Sequence, residues 1–137
     1  GPNMGNEHVI PQFFIKIKKL IQEFGFNEVI NFPIQGSGDE TRSFIHINDF
    51  IKGVEIIINK GENNQIYHIG NSDEVSIKKL ATLISKTLDI NLEIKQGELQ
   101  LGSTIRRCPD INKISSLGYR QTISLESGLA SLKGWYY

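Results

Sequence analysis

Three arginines stand where residue type and spacing point to anion chemistry: Arg42 at the exit of a glycine-rich run, and Arg106 and Arg107 directly before Cys108, Pro109 and Asp110. A guanidinium presents a planar fork of donors that matches a phosphate or carboxylate in bidentate fashion. The run Gly36-Ser37-Gly38-Asp39-Glu40-Thr41 leads into Arg42, and its glycines let backbone N–H groups approach an anion. It lacks the Lys-Ser or Lys-Thr of a P-loop and the third glycine of Gly-x-Gly-x-x-Gly. It therefore reads either as a local phosphate cradle or as a plain turn between two strands. Arg42 likewise reads as a phosphate contact or as a surface arginine. In the second cluster Pro109 holds its predecessor extended, and Asp110 can either cap a following helical turn or accept from a sugar hydroxyl.

Other reactive side chains add less. His8, His46 and His68 share no metal-ligand spacing, so no metal site is expected. His8 precedes a helix whose amino terminus favours anions, whereas His46 and His68 fall in strand-like segments. Cys108 is the single cysteine, which excludes an internal disulfide framework and a multi-cysteine zinc centre. It points to a reducing compartment, the cytoplasm. No nucleophile, base and orienting acid come together in this chain, so no catalytic residue is assigned.

The elements that must position these groups follow from periodicity. Residues 11–24 carry Phe14, Ile17, Ile21 and Phe24 at helical spacing, with Pro11 suited to the first turn and Gly25 to the stop. Residues 28–34 and 42–47 read as strands flanking the glycine-rich run. Asn48 or Asp49 can cap a helix to Lys60 that turns Ile51, Val54, Ile57 and Ile58 inward. Residues 65–69 read as a compact strand. Ser76 caps a helix to Leu88, residues 92–95 form another strand, and residues 96–108 are a loop. A helical turn covers residues 111–117, and a last helix runs from Ser124 to Trp135. The class is α/β, with short mixed strands, several helices and an incomplete sheet.

Composition bounds the partners. The chain has 137 residues, enough for one domain with a core, and it is 39% hydrophobic and 22% charged. Fifteen basic residues balance fifteen acidic ones, so no global field draws in nucleic acid or an anionic membrane. No apolar run approaches the roughly 18 residues of a membrane span. Anion recognition must come from a few local side chains.

Taken in order, the motifs resemble the carboxy-terminal part of the extended short-chain dehydrogenase/reductase family, in particular its nucleotide-sugar epimerases, dehydratases and decarboxylases. Gly1-Pro2-Asn3 with His8-Val9-Ile10-Pro11 is similar to the segment after that family's catalytic region. The stretch from Gly36 to Asp49 is similar to its Gly-x-Gly-x-x-x-Arg-x-Phe-x-x-Val-x-Asp motif. Tyr67-His68-Ile69-Gly70 resembles Tyr-Asn-Ile-Gly, with His68 in place of the usual Asn. Arg106-Arg107-Cys108-Pro109-Asp110, Leu117-Gly118-Tyr119 and Leu125-Glu126-x-Gly128-Leu129 complete the series, which covers essentially all 137 residues.

The resemblance implies that residues 1–137 are the substrate-binding part of an extended Rossmann-type dehydrogenase whose cofactor half lies elsewhere. It implies that Arg42 and Arg107 bind a nucleotide diphosphate, that Asp110 contacts the ribose, and that His8 lies near the diphosphate. Pro33 and Gln35 are implied to line the base pocket. Gln35 departs from the aromatic residue of many relatives, which leaves the partner open among UDP-, dTDP-, CDP- and GDP-sugars. NAD or NADP is implied for the full-length parent and none for this chain alone, because neither the family's Gly-x-x-Gly-x-x-Gly turn nor its Tyr-x-x-x-Lys pair occurs here. Apolar faces without the other half imply a homo-oligomer or association with another chain. Two rivals are a non-catalytic scaffold relative and a free-standing nucleotide-binding module.

Overall fold

The computed structural model describes residues 1–25 and 29–137. In chain order the elements are α1 (Val9–Phe24), β1 (Ile30–Pro33), β2 (Thr41–Ser43), α2 (Ile47–Lys60), β3 (Glu74–Ser76), α3 (Ile77–Leu88), β4 (Leu92–Lys95), β5 (Arg106–Arg107), α4 (Asn112–Ser116) and α5 (Leu125–Tyr136). Of the strand expected at 28–34, residues 30–33 form β1, and Glu28 lies outside the described residues.

Apolar periodicity builds the core. Helix α1 buries Ile10, Phe13, Phe14 and Ile17, the i, i+3, i+4, i+7 stripe of an amphipathic helix. Helix α3 opens on Ser76, whose hydroxyl accepts from Lys79 N–H at 3.1 Å, and buries Leu80, Ala81, Ile84 and Leu88. Helix α5 adds Leu129 and Leu132. Helices α1 and α3 pack on a parallel pair of strands, β1 and β4, registered Ile30↔Leu92 through Pro33↔Lys95, and α5 packs on α1 and α3. Phe32 of β1 is fully buried and meets Phe13 edge to face, with ring centroids 5.0 Å apart.

A second sheet has the order β3-β2-β5, antiparallel on one side of β2 and parallel on the other. Two of its strands were not expected: β3 lies between the expected strand at 65–69 and the helix that Ser76 caps, where no element was assigned, and β5 lies inside the expected 96–108 loop. The expected strand at 42–47 is shorter, because the chain turns into α2 at Ile47. The cap of α2 is His46, whose Nδ1 accepts from Asn48 N–H at 3.2 Å, rather than Asn48 or Asp49.

Residues 65–69 form no ladder in the described structure. A strand needs a neighbour's N–H and C=O groups, and no described strand lies beside this segment. Side chains hold its surroundings instead: Tyr119 Oη donates to Gly70 O at 3.0 Å, and Lys113 Nζ sits 4.7 Å from the Tyr67 ring centroid.

Helix α2 also corrects the reading of its inner face. Only Asp49 and Gly53 are buried, whereas Ile51 is 49% exposed and Ile58 76% exposed. Gly53 is the point of closest approach, since a Cβ there would stand 2.5 Å from Ile69 Cγ2. The remaining apolar face has no described layer against it. Among the described residues, no helix is long and apolar enough to cross a membrane.

Asp49 ties α2 to the chain before α5. Its carboxylate is fully buried and accepts from Thr122 N–H at 3.0 Å, Ile123 N–H at 2.9 Å and Thr122 Oγ1 at 2.6 Å. Burial alone would raise its pKa. The bonds from the Thr122 hydroxyl, from the two amides and from Lys52 outweigh burial and lower it from 3.8 to about 2. A depressed carboxylate contributes stability above its unfolded pKa and loses it as pH falls through the folded value. Stability against thermal unfolding is therefore expected to fall as pH drops from about 4 to about 2 in the native chain, by about 2 kcal/mol from this group. In Asp49→Asn that part of the pH dependence is expected to vanish, with lower stability at pH 7.

Candidate functional site

The site begins with a register. In the parallel pairing of β2 and β5, Arg42 and Arg107 are direct Cα partners, so their side chains leave the same face of the sheet. Arg42 Nη1 donates to Thr41 O at 2.7 Å and Ile105 O at 3.3 Å, and Nη2 donates to Thr104 O at 2.8 Å. Arg107 Nε donates to Thr104 Oγ1 at 2.6 Å, so both arginines rest against Thr104. Burial lowers the Arg42 pKa, the adjacent charge of Arg107 lowers it further, and Glu40 partly offsets both. Among the described residues neither guanidinium belongs to an ion pair.

Both arginines open into a cleft of about 1010 Å³, which also takes in His8, Pro33 and Gln35. Five of the six residues singled out from the sequence thus share one cavity. Asp110 is the exception: it is absent from the lining, and its Oδ1 accepts from Asn112 N–H at 2.8 Å at the start of α4. His8 caps α1 through its backbone, makes no side-chain cap bond and lies 3.7 Å from Glu7. The amino end of α1 therefore faces the cleft with its positive dipole end.

Helix α1 also gives the cleft residues from outside its apolar stripe. Lys16 and Lys19 line the cleft. Lys16 Nζ donates to Pro33 O and sits 5.3 Å from the Phe32 ring centroid, and burial lowers its pKa. Their i, i+3 spacing on the polar face was the available signal. Leu99, Gln100 and Ser103 reach the same cleft from the loop before β5, and no local pattern marks them.

The glycine-rich run proves to be a turn. Glu40, 7% exposed, accepts from Ser37 N–H at 3.1 Å and Gly38 N–H at 2.9 Å. Its own amide, followed by those of Ser37 and Gly38, holds the carboxyl below its usual range against the opposing effect of burial. Gly36 and Gly38 have φ of 73° and 87°, left-handed conformations that suit glycine. At Gly36 a Cβ would also fall 2.3 Å from Glu40 Oε1. An internal carboxylate already holds the amides that an external anion would use. The Ser37-x-x-Glu40 spacing resembles that of reciprocal capping and was a legible sign of this.

The chain is similar to known proteins in sequence and in fold. The sequence profile described as the NAD dependent epimerase/dehydratase family matches residues 1–70. A putative GDP-L-fucose synthase from Arabidopsis thaliana is 27% identical over 96% of this chain and 39% of its own length. The dTDP-glucose 4,6-dehydratase from Streptomyces venezuelae, solved with NAD and TYD bound, is 27% identical with a TM-score of 0.79, over 99% of this chain and 40% of that one. UDP-glucose 4-epimerase from Thermotoga maritima, solved with UDP-glucose, has a TM-score of 0.82 at 19% identity, over 99% and 42%. At that identity the likeness concerns the fold. The chain spans about two fifths of the length of these proteins.

The residues present do not fit a nicotinamide dinucleotide. Its pyrophosphate sits on free amides where a glycine turn opens a helix, whereas this glycine turn leads into β2 and its amides serve Glu40. Removing that carboxylate tests the turn. Glu40→Ala is expected to cost about 1–3 kcal/mol by leaving buried donors unsatisfied, read by denaturant unfolding, while Asp39→Ala, at an exposed position, changes little.

Proposed function

Given that the chain belongs to the NAD dependent epimerase/dehydratase family, we propose that its main cleft binds the diphosphate of a nucleotide sugar through Arg42 and Arg107. The observation that carries this reading is the pair of guanidiniums held side by side, in register, without an ion-pair partner among the described residues. A diphosphate supplies two adjacent anionic groups and relieves the repulsion between the two cations. The amino end of α1, with His8, adds a favourable dipole on the same side. Pro33 and Gln35 border the region left for the base, and Lys16 stands beside them. The relatives' names support this class of ligand, since they include GDP-, dTDP- and UDP-sugar enzymes.

In the whole protein this part serves an NAD(P)-dependent epimerase, dehydratase or decarboxylase by anchoring the nucleotide end of the substrate. Anchoring a remote group places the reacting sugar at the catalytic centre and lowers the entropic part of the barrier. The cofactor and the acid–base pair belong to the remainder of such a fold. These 137 residues alone are expected to show no turnover.

The same reading accounts for the bare face of α2. Phe50, Ile51 and Ile58, together with Ile66 of the unpaired segment, are exposed, and large apolar patches mark surfaces that become covered. The natural cover is the remaining three fifths of the fold, and in its absence a second copy of the chain. In sedimentation experiments the isolated chain is expected to self-associate, and Ile51→Glu with Ile58→Glu to return it to monomer. A monodisperse native monomer at high concentration contradicts this.

Calorimetry tests the ligand. One or more of UDP, dTDP, CDP and GDP are expected to bind, with affinity falling at least tenfold in Arg42→Ala and in Arg107→Ala, as expected for loss of a charge-assisted contact. Failure of all four nucleotides to bind the native chain would falsify the reading.

A further inference from the structure

The back of the second sheet carries a cluster that the diphosphate reading leaves unused. Side chains alternate along a strand, so Thr41 and Arg106, which are Cα partners, point away from the face of Arg42 and Arg107. There Glu74 of β3 accepts from one residue on each of the other two strands. Arg106 Nε lies 3.0 and 2.9 Å from its two oxygens, Arg106 Nη2 completes a bidentate ion pair, and Thr41 Oγ1 donates to Oε2 at 2.8 Å. One carboxylate on an outer strand thereby clamps the opposite outer strand across β2.

Strand β5 depends on such a clamp because it is short. It has two residues and follows a loop whose Leu101 and Ile105 are exposed. Besides its ladder with β2, its entry is held by Thr41 N–H donating to Ile105 O at 2.9 Å, and by the Arg42 guanidinium on Thr104 O and Ile105 O. The Arg42 bonds compete with any phosphate, since the donors that grip those carbonyls are the ones an anion takes. Once Arg42 turns to a ligand, the Glu74–Arg106 pair remains as the charged side-chain tie on the register that sets Arg107 beside Arg42, with the weak contacts of Cys108 Sγ to Asn71 O and Ser72 O beyond the strand.

We infer that Glu74 is a positioning residue for phosphate recognition: through Arg106 it fixes β5 in register, so that Arg107 meets the second phosphate of the ligand. This rests on the proposed diphosphate cleft, and the two can fail separately. The probes are UDP and UMP, or the corresponding pair for whichever nucleoside diphosphate binds most tightly. In native protein the diphosphate binds more tightly than the monophosphate, and that preference is the readout.

Glu74→Ala is expected to lower the diphosphate affinity about three- to tenfold, the range of a well-aligned charge-assisted tie, and to leave the monophosphate affinity nearly unchanged. In an Arg107→Ala background, Glu74→Ala is expected to have no further effect, because its influence passes through Arg107. The exchanged pair Glu74→Arg with Arg106→Glu is expected to recover part of the diphosphate preference that either single exchange loses. Melting temperatures accompany every variant. Full diphosphate preference in a folded Glu74→Ala protein overturns the inference, as does an equal loss for both nucleotides or an undiminished loss in the Arg107→Ala background. If Glu74→Ala does not fold, Arg106→Gln replaces it, with the same expected and overturning results. Absence of nucleotide binding in the native chain overturns the cleft reading and this inference together, whereas binding that needs Arg107 but not Glu74 overturns this inference alone.

Discussion

Two like charges held side by side repel, and a fold places them so only when something else fixes their positions. In this chain the fixing element is the parallel pairing of β2 and β5, which makes Arg42 and Arg107 direct partners. Everything around the cleft serves that register. The glycine turn closed by Glu40 aims the chain into β2, and β3 flanks β2 on its other side. Helix α3 leaves β3 directly and anchors the second sheet to the core through Leu80, Ala81 and Ile84. In the proposed binding mode the mutual repulsion of the arginines is offset by attraction of each to an anion with two charged groups.

A second constraint is the division of the molecule into a well-buried part and a part that lacks a cover. The core of α1, α3, α5 and the β1–β4 pair is closed by complementary apolar faces. Helix α2 and residues 65–69 are attached to it by polar and small-residue contacts instead: the Asp49 carboxylate on residues 122 and 123, Gly53 against Ile69, and Tyr119 on Gly70. Such specific but narrow attachments hold a helix in place without burying its apolar side. The chain spans about two fifths of the length of its relatives, and the proposed cover for that exposed side is the remainder of such a fold.

The legible parts of the sequence were those whose pattern is local and long. Helices α1, α3 and α5 each repeat apolar residues over three or more turns, and their buried faces were largely readable from spacing, except that Phe24, expected on the stripe of α1, is 62% exposed. Strands β3 and β5, of three and two residues, are too short to show alternation, so only their partners define them. Residues 65–69 show the converse: β-branched and aromatic residues read as a strand, but a strand exists only with a neighbour to bond. The inward Ile51 and Ile58 of α2 were misplaced for a related reason, since amphipathicity tells which face seeks cover and not whether cover is present.

The sequence by itself determined the chemistry on offer: arginines of a type and spacing that can contact an anion, a balanced net charge that gives no global field, and helices with apolar stripes. Order and spacing of motifs also determined the family. Only the tertiary structure decided which of these groups meet. It set Arg42 beside Arg107 across 65 positions of chain, brought Lys16 and Gln35 to the same cleft, left Asp110 on the α4 cap, and gave the glycine run's amides to Glu40. The reason is physical: periodicity and composition are properties of neighbours along the chain, whereas a site is made by strand register and helix packing between residues that are distant along it.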